Sequence, residues 1–309
     1  MDKNSVNWRG VIPALVTPFD REGAIDEGAF RRNIAGMIAQ GCHGILVGGC
    51  TGEFWSLTPD ERTRVVRIAA DEAKGRLTIF AGTGAIRPDE TIALTRAAEK
   101  AGAHGALVLP PYFVKPAEED LVAYFKQISD NTGLPMILYN IPANSVNAIT
   151  PALAHRLADI DKVVAIKESQ GDWNNFQRTL LAVGDRLRVF CGPSSVYGVA
   201  ATQMGAVGHI DCFPNILCKP MVEMWHAAEA GDAKRAALIQ ERAFRLTELC
   251  TSWGMNLYVS TKAAMNMLGL PGGYPRLPLR PLAPELAVKL RDGLTQLGFT
   301  TADAARAAE

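Results

Sequence analysis

The chain has 309 residues and a mass of 33.3 kDa, and its 32 Lys and Arg residues balance 32 Asp and Glu residues. This balance argues against a nucleic-acid-binding protein, which needs a basic surplus to meet phosphates. Hydrophobic residues make up 48% of the chain but aromatic residues only 7%. We therefore expect a large core built mainly from aliphatic side chains and alanine.

Features of secreted and membrane proteins are missing from the sequence. Its first ten residues are polar, and no apolar stretch reaches the roughly 18 residues that cross a bilayer. The cysteines are scattered without a CxxC pair, at positions 42, 50, 191, 212, 218 and 250, as is typical of reduced thiols. We predict a cytoplasmic enzyme or small-molecule-binding protein with no membrane or nucleic-acid partner.

Short apolar segments without polar alternation recur along the chain, as expected for strands buried on both faces. They cover residues 10–19, 43–49, 77–82, 105–110, 135–140, 163–169, 188–192 and 208–212. Amphipathic helical patterns lie between or after them, at residues 26–40, from Thr58 onward, and at 88–101, 118–131, 151–158, 173–183 and 214–229. Thr58, Pro59 and Glu61 have the types expected at a helix start, because they suit the N-cap, first and third positions.

This alternation predicts the α/β class, as a (β/α)8 TIM barrel. Three more helical patterns follow, at residues 232–252, 255–268 and 284–297. We expect residues 1–230 to form the barrel and residues 231–309 a C-terminal helical extension packed on it. A doubly wound dinucleotide fold is the alternative, but its glycine signature should follow the first strand, whereas Gly82-Thr83-Gly84 follows the third.

Lys167 ends the sixth predicted strand, and active sites of TIM barrels lie at the C-terminal ends of the strands. An amine at the mouth of an apolar barrel loses hydration, which favours the neutral nucleophile that forms a Schiff base with a ketone. A lysine whose stem extends to water is the alternative. Tyr139 ends the neighbouring fifth strand, and its phenol could move protons there or fill the core.

The second strand ends in Gly48-Gly49-Cys50-Thr51-Gly52-Glu53. Backbone N–H groups of such a glycine cluster, together with the Thr51 hydroxyl, could bind a carboxylate. Cys50 has the alternative of being a small buried residue. Of the histidines, His43 and His104 fall at strand beginnings, and His155 and His226 belong to helical segments. Only His209 lies near the eighth strand, and a lone buried His is usually hydrogen-bonded packing, so we predict no metal. A lysine-based route needs no cofactor, and we predict none.

Motifs over nearly the whole chain resemble the dihydrodipicolinate synthase / N-acetylneuraminate lyase group of Schiff-base aldolases. They are GGCTGEF (48–54), AGTG (81–84), LPPYF (109–113), ILYNIP (137–142), AIKES (165–169) and GAVGHI (205–210). The resemblance implies a barrel with a helical extension and a homotetramer built from tight dimers. It implies that Lys167 forms the imine, that Tyr139 moves protons, and that Cys50 and Thr51 hold the carboxylate of a 2-oxo acid such as pyruvate. It also implies that the carbonyl of Ile210 faces the imine.

Some positions depart from the best-known branches of this group. Asn144 stands where the dihydrodipicolinate synthases carry an Arg after YNxP, and Phe113 replaces the second Tyr of their PYY motif, although Tyr112 remains. The positions that sense feedback lysine in that branch hold Pro59, Arg62 and Ile86. The sialic-acid lyases carry acidic residues where this chain has Gly-Pro-Ser-Ser at 192–195. Both branches are therefore disfavoured.

The segments GEF and PAN look more like those of 4-hydroxy-2-oxoglutarate aldolases, while GEFWSL is also similar to 2-oxo-3-deoxy sugar-acid dehydratases. We expect a cofactor-independent lyase that performs reversible aldol chemistry with pyruvate as the common fragment. The alternatives are a dehydratase or deaminase that uses the same imine, and a catalytically silent 2-oxo-acid sensor. The further expected substrate contacts are Gly52, Tyr112, Asn144, Ser169, Gly192, Ser194 and Asp211.

Overall fold

A closed parallel barrel forms the body of the molecule. The computed structural model describes residues 1–299, so residues 300–309 of the expected extension lie outside the described residues. The strands are β1 Gly10–Val11, β2 Gly44–Val47, β3 Thr78–Gly82, β4 Gly105–Val108, β5 Met136–Asn140, β6 Val163–Glu168, β7 Arg188–Cys191 and β8 Gly208–His209. All pair in parallel in the order β1-β8-β7-β6-β5-β4-β3-β2, and a parallel bridge between Ala14 and Leu46 closes the ring. The prediction of a TIM barrel is confirmed.

Helices surround this barrel and continue into the extension. Within residues 1–299 the α-helices are α1 Glu27–Ala39, α2 Pro59–Ala73, α3 Pro88–Lys100, α4 Glu118–Asn131, α5 Pro142–Ser145, α6 Pro151–Leu157, α7 Trp173–Val183, α8 Ser194–Gln203, α9 Pro214–Glu229, α10 Ala233–Thr251, α11 Leu257–Met267 and α12 Pro284–Gln296. Short 3-10 helices lie at Lys3–Ser5, Phe54–Ser56 and Ser252–Gly254. In the described part of the chain, no helix is long and apolar enough to cross a membrane.

Two differences from the predicted elements have local causes. The first strand was expected over residues 10–19, but regular pairing stops at Val11 because Pro13 has no N–H to donate. Beyond Val11 the segment makes single backbone hydrogen bonds, in which the N–H groups of residues 12 and 14 donate to the carbonyls of residues 209 and 211. Further along, Phe19 pairs in the antiparallel sense with Ile25 and Tyr274. No predicted segment covered α8, whose backbone is non-helical at Tyr197 and which contains a glycine, so its periodicity is weak.

Two clusters of buried apolar side chains fill the barrel and join it to the extension. Inside the barrel, Trp8 and Phe80 pack edge to face with ring centroids 4.7 Å apart at the N-terminal end of the strands. On the other side, α9 shares a core with the extension, in which Phe213, Met224 and Leu246 are buried. Because this core also contains Val16 from the segment after β1, the extension packs directly against the C-terminal mouth of the barrel.

His209 in β8 provides a test of stability against pH. Its buried imidazole Nε2 lies 2.8 Å from Thr202 Oγ1, and burial lowers the pKa to about 4 from an ordinary 6.5. Between these values the unfolded chain binds a proton that the folded chain does not, so stability falls as the pH falls from 6.5 to 4. The difference corresponds to about 3 kcal/mol. We expect His209→Asn to remove about this much of the loss of unfolding free energy between pH 6.5 and 4, measured by urea unfolding. Replacing the exposed His155 should change this loss little. The same pH dependence of the unfolding free energy in the wild-type protein and in both variants would contradict the prediction.

Candidate active site

Lys167 and Tyr139 lie side by side at the C-terminal mouth of the barrel. They are register partners in the parallel pair of β5 and β6, and the Lys167 Nζ atom is 4.3 Å from the centroid of the Tyr139 ring. Side chains alternate along a strand, and the next pair, Asn140 and Glu168, is joined by a hydrogen bond of 2.6 Å from the amide to the carboxylate. This bond fixes the register of the two strands directly beside the lysine and the tyrosine.

The burial of both groups sets their protonation. Lys167 is only 5% exposed, and burial lowers the pKa of its amine, opposed in part by the negative charge that Cys50 and Asp211 can carry. A lowered pKa increases the fraction of neutral amine, which is the nucleophilic form. Burial raises the pKa of the Tyr139 phenol well above its ordinary value. The phenol therefore stays protonated at neutral pH and can donate a hydrogen bond.

The loop after β2 brings Cys50 and Thr51 to the same mouth. Gly48 has a left-handed backbone with φ of +63°, a conformation that glycine adopts without cost. The chain passes β3 so closely that a Cβ atom on Gly82 would lie 2.2 Å from the Gly48 carbonyl oxygen. From inside the barrel, the Thr17 hydroxyl donates to the Gly52 carbonyl at 2.8 Å. The loop is thus held on both sides.

Asp211 organises the opposite wall of the mouth. Its carboxylate accepts hydrogen bonds from the Ser194 hydroxyl (3.0 Å) and from the backbone N–H groups of Ser195 (2.8 Å) and Cys212 (2.6 Å). Gln240 of α10 donates to the Ser194 carbonyl at 3.0 Å. Asp211 therefore fixes the loop after β7 and places a negative charge near the Lys167 amine, where it favours the ammonium form.

One cleft of about 180 Å³ connects these residues. The predicted site residues that line it are Cys50, Thr51, Tyr139, Lys167, Ser169, Gly192, Ile210 and Asp211. Four other predicted residues do not line it. The Gly52 carbonyl accepts from Thr17, and the Ser194 hydroxyl donates to Asp211. The ring centroid of Tyr112 lies 6.1 Å from that of Phe54, and Asn144 is exposed in α5. Roles for these four in substrate binding stay predictions.

The extension and the loop after β8 supply further residues to the cleft that were not among the predicted site residues. Thr247 of α10 and Leu257 and Tyr258 of α11 line it, as do Cys212 and Phe213. The first three follow no barrel strand, so their position in the sequence does not mark them as site residues. The Asn256 that caps α11 is the local signal that places Tyr258 in the first turn of the helix.

Two positions that distinguish branches of the family have clear environments. Phe113 is 88% exposed and has a positive φ of 73°, so its ring projects from the surface rather than into this chain's cleft. Arg62 is buried and donates to the Gly82 carbonyl at 2.7 Å and the Gly84 carbonyl at 3.2 Å. Burial lowers the pKa of Arg62 to about 10, so it remains charged at neutral pH. Residues 1–299 contain no cluster of His, Cys, Asp and Glu that could hold a metal ion.

Comparison with known proteins gives the family of this chain. The family model described as the dihydrodipicolinate synthetase family matches residues 7–297. The chain belongs to the dihydrodipicolinate synthetase family. It is 38% identical over 288 residues to a 4-hydroxy-tetrahydrodipicolinate synthase of Thermus thermophilus, covering 92% of this chain and 94% of that one. It is 35% identical over 295 residues to an uncharacterized DapA-like lyase of Rhizobium meliloti, covering 96% and 98%.

Solved structures of the dihydrodipicolinate synthetase family have the same fold. The enzyme from Aquifex aeolicus superposes with a TM-score of 0.87 at 33% identity, over 94% of this chain and 99% of that chain. The chloride-inhibited enzyme from Acinetobacter baumannii, solved with pyruvate, has a TM-score of 0.89 at 32% identity, over 95% and 100%. The predicted family and the prediction that this chain is a lyase are therefore confirmed.

Proposed function

We propose that this chain binds a 2-oxo acid as a Schiff base on Lys167 and performs reversible aldol chemistry with pyruvate as the common fragment. The observation that carries the proposal is the placement of a buried amine, with its pKa lowered by burial, against a protonated phenol in one cleft. The pyruvate complex of the Acinetobacter baumannii relative supports the choice of 2-oxo acid.

Each group has a defined part in the reaction. The Lys167 amine attacks the ketone carbon, and the resulting carbinolamine loses water as Tyr139 supplies a proton to the departing oxygen. The cationic imine withdraws electrons, so the bond between C3 and C4 breaks when the C4 hydroxyl loses its proton. The enamine is then protonated at C3 and hydrolysed to pyruvate. Thr51 and Cys50 line the same cleft as Lys167, and their part is to hold the substrate carboxylate.

Polar groups on the far wall suit a hydroxylated substrate. Ser169 lines the cleft, and its buried Oγ atom makes no well-formed hydrogen bond within residues 1–299, although it interacts with the Tyr139 phenol. A buried hydroxyl without a well-formed hydrogen bond costs free energy, so a substrate hydroxyl would satisfy it. The size of the cleft, about 180 Å³, fits a small acid. We infer a 4-hydroxy-2-oxo acid as the substrate class.

Borohydride trapping tests the proposal. We expect sodium borohydride with pyruvate to attach a reduced adduct to the peptide that contains Lys167, and a panel of 4-hydroxy-2-oxo acids to release pyruvate. Lys126→Met, at an exposed lysine paired with Asp130, is the matched control and should trap normally. No adduct on Lys167 would refute the imine. An adduct without turnover of any 2-oxo acid would indicate a sensor, and loss of water without cleavage would indicate a dehydratase.

We further infer a homotetramer, as the family resemblance implies, and a cytoplasmic location. All six cysteines are free and buried, which suits a reducing compartment. The exposed Phe113, with Val114 beside it 43% exposed, is an apolar surface that a second copy would cover. Sedimentation velocity of the purified protein, giving the mass of one, two or four chains, tests the assembly.

A further inference from the structure

A buried amide and a buried carboxylate lie on the outer face of the two strands that carry Tyr139 and Lys167. Asn140 and Glu168 directly follow these residues in β5 and β6, and they are register partners in the same parallel pair. Because successive side chains of a strand point to opposite faces, both leave the barrel wall on the side away from the cleft, and neither lines it. Both are 0% exposed. Any part that they have in the reaction therefore acts through their neighbours.

Each of these two side chains makes hydrogen bonds of fixed polarity. The Asn140 amide donates to one carboxylate oxygen of Glu168 at 2.6 Å, and the side-chain carbonyl of Asn140 accepts from the backbone N–H of Ile149 at 2.8 Å. The second oxygen of Glu168 accepts from the backbone N–H of Gln170 at 2.7 Å. Every donor in this row faces an acceptor. We call these three hydrogen bonds the Asn140–Glu168 clasp.

The clasp joins the loops that follow both strands. Ile149 lies between α5 and α6, so its bond returns the loop after β5 to the end of that strand. The bond from Gln170 bends the chain directly after β6. Ile141 and Ser169, the first residues of the two loops, both line the cleft, and the Ser169 N–H donates to the backbone carbonyl of Asn140 at 2.8 Å. The ends of β5 and β6 are thus fixed to each other where the amine and the phenol enter the cleft.

The Glu168 carboxylate is buried without a cation. Within residues 1–299 its hydrogen bonds come from neutral donors, and burial raises its pKa. Burying a carboxylate without a counterion costs free energy, and apolar side chains of similar volume would avoid this cost. Stability alone therefore does not account for this pair, whereas the placement of the two strand ends does.

We propose that Asn140 and Glu168 are positioning residues for the Schiff-base reaction, because their clasp holds the Tyr139 phenol in place against the Lys167 amine. This inference rests on the proposed function. The attack of the amine on the ketone and the transfer of a proton to the departing oxygen both depend on this placement. A displacement of about 1 Å lowers such rates about 100-fold.

Exchanging the two groups tests the clasp. Glu168→Gln leaves one acceptor oxygen for the two donors that face it, and Asn140→Asp sets two carboxylates face to face. The double variant Asn140→Asp with Glu168→Gln reverses the polarity of the central bond. Its carboxylate accepts from the Ile149 N–H and from the new amide, and the oxygen of that amide accepts from the Gln170 N–H. Every donor in the double variant again faces an acceptor.

Single-turnover trapping of pyruvate with borohydride separates placement from folding. The amplitude counts the folded sites, and the rate constant reports the approach of the amine to the ketone. We expect each single variant to lower the rate constant about 100-fold at nearly full amplitude, and the double variant to return to within about 3-fold of the wild-type value. Asn33→Asp, at a buried amide that donates to the Pro271 carbonyl at 2.8 Å outside the cleft, is the matched control and should keep the wild-type rate constant.

The double variant decides the outcome even where a single variant folds poorly. A double variant that is unfolded, or as slow as the slower single variant, would overturn the positioning role. Wild-type rate constants in both single variants would also overturn it, and a lower amplitude at an unchanged rate constant would assign the clasp to stability alone. If the wild-type protein traps no pyruvate on Lys167, the proposed function fails and the positioning role fails with it.

Discussion

Replacing Lys167 by Met should abolish turnover of every 2-oxo acid that the wild-type protein cleaves. The amine is the covalent nucleophile in the proposed reaction, and no other amine lies in the cleft among its lining residues. We expect kcat to fall by more than about 10⁴-fold, the order of loss seen when a covalent nucleophile is removed. Met fills a similar volume, so the urea unfolding midpoint should change little, and Lys126→Met should retain full activity.

The pH dependence of imine formation provides a sharper form of this prediction. Only the neutral amine attacks, and burial lowers the pKa of Lys167 from its ordinary 10.5, so the trapping rate should rise with pH and level off below 10.5. The charge of Asp211 raises this pKa. Asp211→Asn should therefore shift the rising limb to lower pH, as measured by single-turnover trapping. A rising limb of the trapping rate centred at pH 10.5 or above would contradict a Lys167 amine whose pKa is lowered by burial.

The reason that Lys167 and Tyr139 could be predicted from the sequence is geometric. In a parallel barrel the C-terminal ends of all strands meet at one mouth, so an ionisable residue that follows an apolar run is placed there before any coordinates are known. The same reasoning placed Cys50, Thr51 and Asp211 at the cleft. It placed Ser194 less well, because the loop after β7 turns its hydroxyl toward Asp211 rather than into the cleft.

The contributions of the extension could not be predicted in this way. A helical pattern reports that a helix has an apolar face, but it does not report where on the barrel that face packs. Gln240 and Tyr258 reach the site only because α10 and α11 cross the mouth and share a core with α9. For the same reason, the glutamate of the GEF motif had no assigned partner, since its partner is far away in the sequence.

That partner is Lys262 of α11, and breaking this buried ion pair should cause a large loss of stability. Glu53 and Lys262 are 0% and 1% exposed, and the ammonium also donates to the carbonyls of Thr17 (2.7 Å) and Tyr274 (2.9 Å). Burial lowers the pKa of Lys262 to about 8, so the ammonium predominates at neutral pH. Removing one charge leaves the other buried without its counterion. We expect Lys262→Met or Glu53→Gln to lose about 3–5 kcal/mol in urea unfolding.

A double-mutant cycle separates the ion pair from general damage. Removing both charges leaves no isolated buried ion, so Glu53→Gln with Lys262→Met should be more stable than the sum of the single losses predicts, by about 2 kcal/mol. The exposed pair Lys126 and Asp130 is the matched control, and its cycle should give about 0.3–0.5 kcal/mol. Because Glu53 follows Cys50 and Thr51 in the same loop and accepts the Arg276 N–H at 3.1 Å, the single variants should also raise KM for pyruvate. Additive losses with an unchanged KM would mean that the pair neither stabilises the chain nor positions this loop.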